Sequence, residues 1–194
     1  MSNLVVIILI ISAALFAGKL LYLFSTVCVL PMTQGALYVS TARSRIEAAL
    51  EAVALSPATR LVDLGCGDGR VLRMARRKGA GHVEGYELNP LAYFKARLLT
   101  IGDSGIKILN RSFWDVDLSG ADVICCYLFP DVMARLAAKL KRELKPDAVV
   151  VSFNFPLPDY IPRRILRPGR GRHSDPIYIY QRHPQQHHLP GGLA

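Results

Sequence analysis

The chain opens with a long apolar run and continues as short apolar stretches that alternate with amphipathic ones. Residues 4–30 form 27 positions that carry a single charge, Lys19. An apolar run of about 20 residues is long enough to cross a bilayer as a helix. Further along, runs of β-branched residues alternate with segments of helical period. This alternation is typical of an α/β fold with a doubly wound sheet.

The spacing of apolar positions sets the expected elements. The helix 43–54 should be capped by Ser40 or Thr41 and end before Pro57. Later helices are expected at 69–78, 89–100 and 130–144. Strands are expected at 60–64, 82–87, 106–109, 121–128 and 148–154, followed by an antiparallel pair at 161–166 and 177–181. The predicted fold is therefore a Rossmann-like, seven-stranded doubly wound sheet whose last strand is antiparallel, plus an N-terminal transmembrane helix.

The apolar run is predicted to be a retained membrane anchor. A cleaved signal peptide is the alternative, but it has a positive start and a shorter apolar core, and this chain starts Met-Ser-Asn. A mitochondrial presequence would be amphipathic and rich in arginine. A buried core helix is the remaining alternative, although residues 4–18 are apolar on every side. The positive charges follow the run, which places the next domain in the cytoplasm, or in the matrix of a mitochondrion.

These patterns divide the chain into four parts. The anchor covers 1–30, a linker with the first helix covers 31–57, the α/β domain covers 58–183, and a polar, mobile tail covers 184–194.

The net charge and the cysteines narrow the range of partners. With 24 basic and 15 acidic residues the net charge is +9, which attracts nucleic acid, anionic lipid or acidic protein surfaces. The four cysteines contain no CxxC pair and the histidines are scattered, so we expect no metal site. Reduced thiols in a reducing compartment are expected.

A glycine-rich turn follows the first predicted strand, in LVDLGCGDGR at 61–70. Ligands of open α/β sheets bind at the carboxyl ends of the strands, and glycines let a ligand approach the backbone closely. A P-loop is excluded because no Gly-Lys-Ser/Thr follows, and the spacing G-x-G-x-G differs from the dinucleotide G-x-G-x-x-G. Asp68 at the helix start would repel a pyrophosphate, whereas a cationic ligand would tolerate it and Asp63.

Glu87 ends the second predicted strand, in GYELNP at 85–90. A carboxylate there can accept hydrogen bonds from both hydroxyls of a ribose. The turn and this acid lie about 20 residues apart, as nucleoside-binding folds of this type require.

Together these motifs resemble the first two motifs of class I S-adenosylmethionine-dependent methyltransferases. More narrowly, the chain is similar to the membrane-anchored protein-lysine methyltransferases of the adenine nucleotide translocase and of the ATP-synthase c subunit, as a compact prokaryotic relative. The resemblance covers roughly residues 36–182. Besides the apolar N-terminus, it is carried by LYVST at 37–41, SFWDVDL at 112–118, YLFPDVM at 127–133 and SFNFPLP at 152–158.

The resemblance implies roles for individual residues. The methionine end of S-adenosylmethionine is held by Asp63, Gly65, Cys66, Gly67 and Gly69, and Glu87 takes the ribose hydroxyls. Ser112 and Phe113 lie beside the adenine, although many class I enzymes carry an Asp where Ser112 stands. The methyl group and the acceptor are faced by Tyr38, Tyr127, Phe129 and Pro130, which position the substrates without a dedicated base.

Simpler structural roles remain open for some of these residues. Phe113 and Trp114 could be core aromatics, and Tyr38 a linker aromatic. Pro130 could be only the first-turn proline of its helix.

The resemblance implies N-methylation of lysine side chains in proteins, which the anchor narrows to membrane-associated ones. A small-molecule or lipid methyltransferase at a membrane is the main alternative. A nucleic-acid methyltransferase is disfavoured because YLFP stands where an Asn-Pro-Pro-Tyr type motif would follow the fourth strand. A non-catalytic module that retains the cofactor site is the last alternative.

Overall fold

The architecture comes from a computed structural model of the chain, which describes residues 3–33, 41–168 and 175–181. Tyr38, Ser40 and the predicted tail 184–194 lie outside these residues.

One sheet of seven strands organises the domain. Its order is β3-β2-β1-β4-β5-β7-β6, and β7 pairs antiparallel with both β5 and β6, while β1 to β5 are parallel. The predicted seven-stranded sheet with its antiparallel last strand is confirmed. The strands are β1 (Arg60–Leu64), β2 (His82–Tyr86), β3 (Ile106–Leu109), β4 (Val123–Cys126), β5 (Val149–Phe153), β6 (Arg164–Leu166) and β7 (Ile177–Gln181).

Five helices accompany the sheet. Asn89 caps α4 by accepting hydrogen bonds from two backbone amides, and Pro90 occupies its first turn. A short 3₁₀ turn, Phe113–Asp115, follows β3. The helices are α1 (Asn3–Thr33), α2 (Arg43–Glu51), α3 (Arg70–Arg77), α4 (Pro90–Leu99) and α5 (Pro130–Glu143).

Several predicted boundaries are wrong for physical reasons. The helix α2 stops at Glu51, and Ala42 occupies its N-cap position without a side-chain hydrogen bond, so Thr41 is not its cap. The strand β4 is only four residues long because its neighbour β1 leaves the sheet after Leu64. The strand β6 starts at Arg164 rather than 161, beyond Pro162, which lacks an N–H for the ladder.

Both faces of the sheet are covered. On one face α2, α3 and α4 pack through residues such as Ile46 and Leu72, and on the other α5 packs through Leu136 and Leu140. The central strand β4 is therefore buried at every position, as expected for a parallel strand between two helical layers.

The helix α1 stands apart from this core. Its stretch Asn3–Phe24 is long and apolar enough to cross a membrane, and none of it is buried. That exposure contradicts the alternative of a buried core helix. The helix touches the domain at α4.

Candidate functional site

The glycine turn after β1 has a backbone shape that glycines make possible. Gly65, Gly67 and Gly69 have φ angles of 78°, 55° and 72°, a left-handed region that costs other residues energy. The amides of Gly65 and Cys66 both donate to the carbonyl of Tyr86, at 3.0 and 2.9 Å. The turn is thus folded back onto β2 and directs its remaining backbone toward the carboxyl ends of the strands.

Glu87 holds this turn in place. Its Oε2 accepts from the Gly67 amide and its Oε1 from the Asn89 amide, both at 2.8 Å. Burial raises the pKa of Glu87, and these backbone amides oppose that rise. The sequence predicts Glu87 only as a ligand group, so its role as the link between two loops is new.

Asp63 is the buried acid at the centre of the site. Its side chain is 5% exposed, and no described residue donates a hydrogen bond to its carboxylate. Burial, together with the charges of Glu87 and Asp68, raises the pKa of Asp63 to about 8. A buried carboxyl without a partner is costly, and a cationic ligand is what would relieve that cost. The amino group and sulfonium of S-adenosylmethionine fit this requirement.

Asp68 is already neutralised by the protein. Arg70 donates to its two oxygens at 2.9 and 2.8 Å, and Lys95 lies 3.6 Å away. Burial disfavours its ionised form, but the Arg70 hydrogen bonds and the nearby cations outweigh it and lower the pKa of Asp68. The carboxyl groups open to a ligand are therefore those of Asp63 and Glu87.

Arg70 also ties the segment before α2 to the turn. Its Nη1 donates to the carbonyl of Thr41 at 3.0 Å. Thr41, the first described residue after 34–40, thus lies against the glycine turn.

Ser112 and Phe113 lie at the same edge of the sheet. The hydroxyl of Ser112 accepts from the Trp114 amide at 3.2 Å, which caps the 3₁₀ turn. Phe113 packs on Trp114 with ring centroids 4.6 Å apart. Both rings also lie against the core on the α5 face, so the simpler role in packing is present. Contact of Ser112 and Phe113 with adenine stays a prediction.

Tyr127, Phe129 and Pro130, which are predicted to face the acceptor, follow β4. Phe129 precedes α5 and Pro130 is the first residue of that helix. Phe155, which the sequence does not single out, joins them: its ring centroid lies 6.5 Å from that of Tyr127 and 6.1 Å from that of Phe129. Tyr127 and Phe129 follow the end of β4, the neighbour of the strand β1 that leads into the glycine turn, while Tyr38 lies outside the described residues.

A hydrogen-bonded chain that the sequence does not reveal supports Tyr127. Asn154 Nδ2 donates to the Tyr127 hydroxyl at 2.7 Å, and Arg45 Nη2 donates to Asn154 Oδ1 at 2.5 Å. Asn154 has a φ of 69°, a conformation that Asn tolerates better than most residues. Arg45, on α2, is buried. The only sequence signal was Asn154 within the SFNFPLP motif.

Three cysteines of the α/β domain are packed interior residues. Cys66, Cys125 and Cys126 are free and buried. Burial raises the pKa of each thiol, for Cys126 to about 12, so each is a neutral thiol at physiological pH. Within residues 3–33, 41–168 and 175–181, no three His, Cys, Asp or Glu side chains cluster as a metal site would need.

Comparison with known proteins decides the family. Residues 63–164 match the ANTKMT methyltransferase domain. The chain belongs to this methyltransferase family. The predicted resemblance is confirmed, and the matched range runs from Asp63 to the start of β6.

Curated lysine methyltransferases are similar to this chain along much of its length. A protein-lysine N-methyltransferase of Saccharolobus islandicus is 31% identical over 74% of this chain and 91% of its own. The mouse adenine nucleotide translocase lysine N-methyltransferase is 34% identical over 75% of this chain, and the human lysine N-methyltransferase of the ATP-synthase c subunit is 38% identical over 62%. The matches span 63% of the mouse protein and 51% of the human one.

A solved structure agrees with the fold of this ANTKMT-family protein. An RNA methyltransferase from Salinibacter ruber, in complex with S-adenosyl-L-homocysteine, superimposes with a TM-score of 0.69 at 26% identity, covering 80% of this chain and 99% of that one. S-adenosylmethionine is the cofactor of the family, so the predicted cofactor and enzyme class are confirmed.

Proposed function

We propose that this methyltransferase transfers methyl groups from S-adenosylmethionine to lysine side chains of membrane-associated proteins. The proposal is carried by the 31% identity to a protein-lysine N-methyltransferase along 91% of that relative. It is supported by the mouse and human relatives, whose names specify the adenine nucleotide translocase and the ATP-synthase c subunit as substrates.

The cofactor site consists of the turn and two acids. Asp63, open to a cation, would hold the amino-acid end together with the amides of Gly65–Gly69. Glu87 would accept the ribose hydroxyls with the lone pairs that the Gly67 and Asn89 amides leave free, since each carboxylate oxygen can accept two hydrogen bonds. Ser112 and Phe113 would flank the adenine.

The acceptor side works by desolvation and alignment. S-adenosylmethionine supplies a methyl group already activated on a sulfonium. The aromatic rings of Tyr127, Phe129 and Phe155 exclude water around an entering lysine amine, which favours its neutral form. An amine held in line with the methyl–sulfur bond would take the methyl group as that bond breaks and S-adenosylhomocysteine leaves, and alignment of this kind can supply a large part of the rate.

The Tyr127 hydroxyl serves to orient rather than to take the proton. Burial raises the pKa of Tyr127, a rise that the nearby Arg45 opposes and Asp175 assists, so the phenol is neutral at pH 7. It also already accepts from Asn154. We infer that the amine proton leaves to water, without a dedicated base.

The helix α1 supplies the link to membranes. Its stretch Asn3–Phe24 is apolar and exposed, and the positive charges follow it, which favours a single-pass anchor with the catalytic domain in the cytoplasm or the matrix. An anchored enzyme meets membrane proteins at a raised effective concentration. A lysine close to the bilayer surface is the preferred acceptor.

The test uses the full chain in lipid vesicles with membrane proteins, lipids and RNA present. S-adenosylmethionine with a labelled methyl group is added, and the three fractions are separated and counted. Label in protein, mapped by mass spectrometry to lysine and absent with Asp63→Asn, is expected. Label found only in the lipid or only in the RNA fraction would contradict the lysine assignment and identify that class of molecule as the substrate. If calorimetry detects no binding of S-adenosylmethionine, the chain is a non-catalytic module.

A further inference from the structure

Exposed apolar side chains outside α1 gather on one part of the surface. Outside α1, the described residues include six large apolar side chains that are exposed, and four of them lie between positions 94 and 101. Phe94 and Leu98 lie one turn apart on α4 and are 65% and 69% exposed. A contiguous exposed apolar patch usually marks an interaction site. We call Phe94, Leu98, Leu99 and Ile101 the α4 patch.

A basic cavity borders this patch. It has a volume of about 270 Å³ and lies between α3 and the end of α4. Its one acid, Asp103, is paired with Arg76 at 3.1 Å. Arg77 is exposed and has no ion pair or hydrogen bond with the described residues, so its charge is open to a ligand. The lining residues are Arg73, Arg76, Arg77, Leu99, Thr100, Ile101, Asp103 and Ile106.

The position of α1 indicates what covers this surface. The helix α1, whose apolar stretch can cross a membrane, touches the domain at α4, the same helix that carries most of the α4 patch. Apolar side chains beside arginines match the acyl boundary and the phosphates of an anionic bilayer. A second copy of the chain fits less well, because a two-fold contact would bring like-charged arginine cavities together.

We propose that the α4 patch and the arginine cavity form a membrane-contact surface that binds anionic phospholipid. Phe94 and Leu98 enter the boundary between headgroups and acyl chains, and Arg73 and Arg77 contact a headgroup phosphate. This inference rests on the membrane anchoring in the proposed function. It adds an orientation: the outer face of α4 lies against the bilayer.

A fluorescent reporter tests the apolar half of the surface. The full chain, whose native tryptophan is Trp114 alone, is reconstituted in nanodiscs that contain phosphatidylglycerol and dibrominated phosphatidylcholine. In Phe94→Trp, we expect the bromines to quench the added indole at least twofold. The matched control is Ile161→Trp, at a 70% exposed site before β6, which should not be quenched. Equal quenching of the two, or none in Phe94→Trp, would overturn the proposal.

A charge reversal tests the basic half. Adding Arg77→Glu to Phe94→Trp should return the quenching to the level seen without phosphatidylglycerol, whereas Arg167→Glu, at another exposed arginine, should not. If quenching changes neither with the lipid charge nor with Arg77→Glu, the surface does not bind anionic lipid specifically. A doubled particle mass with an unquenched indole would assign the patch to a second copy.

Failure of the anchor is detected separately. A chain that alkaline extraction releases from the membrane is not anchored by α1, which overturns the anchor and the surface together. A chain that resists extraction without quenching overturns the surface alone. Label transfer to lysine, the test of the proposed activity, is measured in another assay and can succeed in either case.

Discussion

The Gly67 amide donates to Glu87 Oε2 at 2.8 Å. This hydrogen bond joins the glycine turn after β1 to the loop after β2. The other carboxylate oxygen holds the Asn89 amide at the same distance. One side chain therefore both shapes the site and is proposed to bind the ribose.

Replacing Glu87 should accordingly affect the protein even without ligand. Glu87→Ala leaves two buried amides without their acceptor, and we expect the free energy of unfolding to fall by at least about 2 kcal/mol. The Kd for S-adenosylmethionine should rise about 100-fold through the lost hydroxyl contacts. Thermal unfolding and calorimetry measure the two effects. Glu87→Gln, which keeps one acceptor oxygen, should lose less stability, and an unchanged unfolding temperature in Glu87→Ala would contradict the linking role.

Asp63 should make cofactor binding depend on pH. Because its pKa is raised to about 8, Asp63 is mostly protonated at pH 7, and a cationic ligand favours its ionised form. Affinity should therefore strengthen as pH rises toward 8, and binding at pH 7 should release protons. Calorimetry in two buffers of different ionisation enthalpy measures that release. Asp63→Asn should bind more weakly and release none, and the same release in that variant would refute the assignment.

The same shift predicts the pH dependence of stability without ligand. A carboxyl whose pKa is raised by folding binds more protons in the folded state, so its contribution to stability declines as pH rises from about 4 to 8. Asp63→Asn removes this decline. In urea unfolding, the free energy of unfolding of Asp63→Asn should increase relative to that of the wild type between pH 5 and pH 9. If the two proteins show the same dependence of this free energy on pH, Asp63 does not cause the decline.

The chain from Arg45 through Asn154 to Tyr127 should act on turnover rather than on cofactor binding. Tyr127→Phe removes the hydroxyl that Asn154 holds, and we expect kcat to fall about 10-fold, since misplaced substrates lose rate. The Kd for S-adenosylmethionine should stay within about twofold, because neither partner belongs to the turn or the acids. Asn154→Gly tests the same link while tolerating the positive φ. The double variant should be no slower than the slower single one, and additive losses would show independent roles.

Gly85 should be needed for packing behind the turn. A Cβ there would lie 2.6 Å from both Cys66 Sγ and Leu72 Cδ1, so Gly85→Ala should cost about 1–3 kcal/mol of unfolding free energy. Gly120→Ala is the matched control: its Cβ would meet only the flexible end of Arg60, and we expect a change within about 0.5 kcal/mol. Denaturant unfolding of both variants measures the difference, and equal losses would contradict this packing argument.

What the sequence predicts well is what local patterns encode. The strands Arg60–Leu64 and Ile106–Leu109 match their predictions residue for residue, because each appears in the sequence as a short, mainly apolar run. The glycine spacing located the turn for a similar reason, since three positive φ angles within five residues require glycine. The motif GYELNP placed Glu87 at the carboxyl end of β2, where the structure has it.

What the sequence could not predict depends on contacts between distant residues. Arg45 and Asn154 are 109 positions apart, and only the folded sheet brings α2 to the end of β5. The pairing of Asp68 with Arg70 is local, but the same residues could equally have left the acid open to a ligand. The sequence predicts the end of β4 too late. The strand ends where its pairing with β1 stops, and the apolar run up to Leu128 contains no signal of that point.

The hydrogen bond from Arg70 to the Thr41 carbonyl limits how far the enzyme can reach. Thr41 is held at the glycine turn, and it is only eight residues after Thr33 at the end of α1. A fully extended chain of that length spans at most about 29 Å. If α1 anchors the chain as proposed, the catalytic domain therefore stays close to the end of that helix. A lysine on a tall extramembrane domain would be out of range, whereas one in a short loop at the bilayer surface would stay within it.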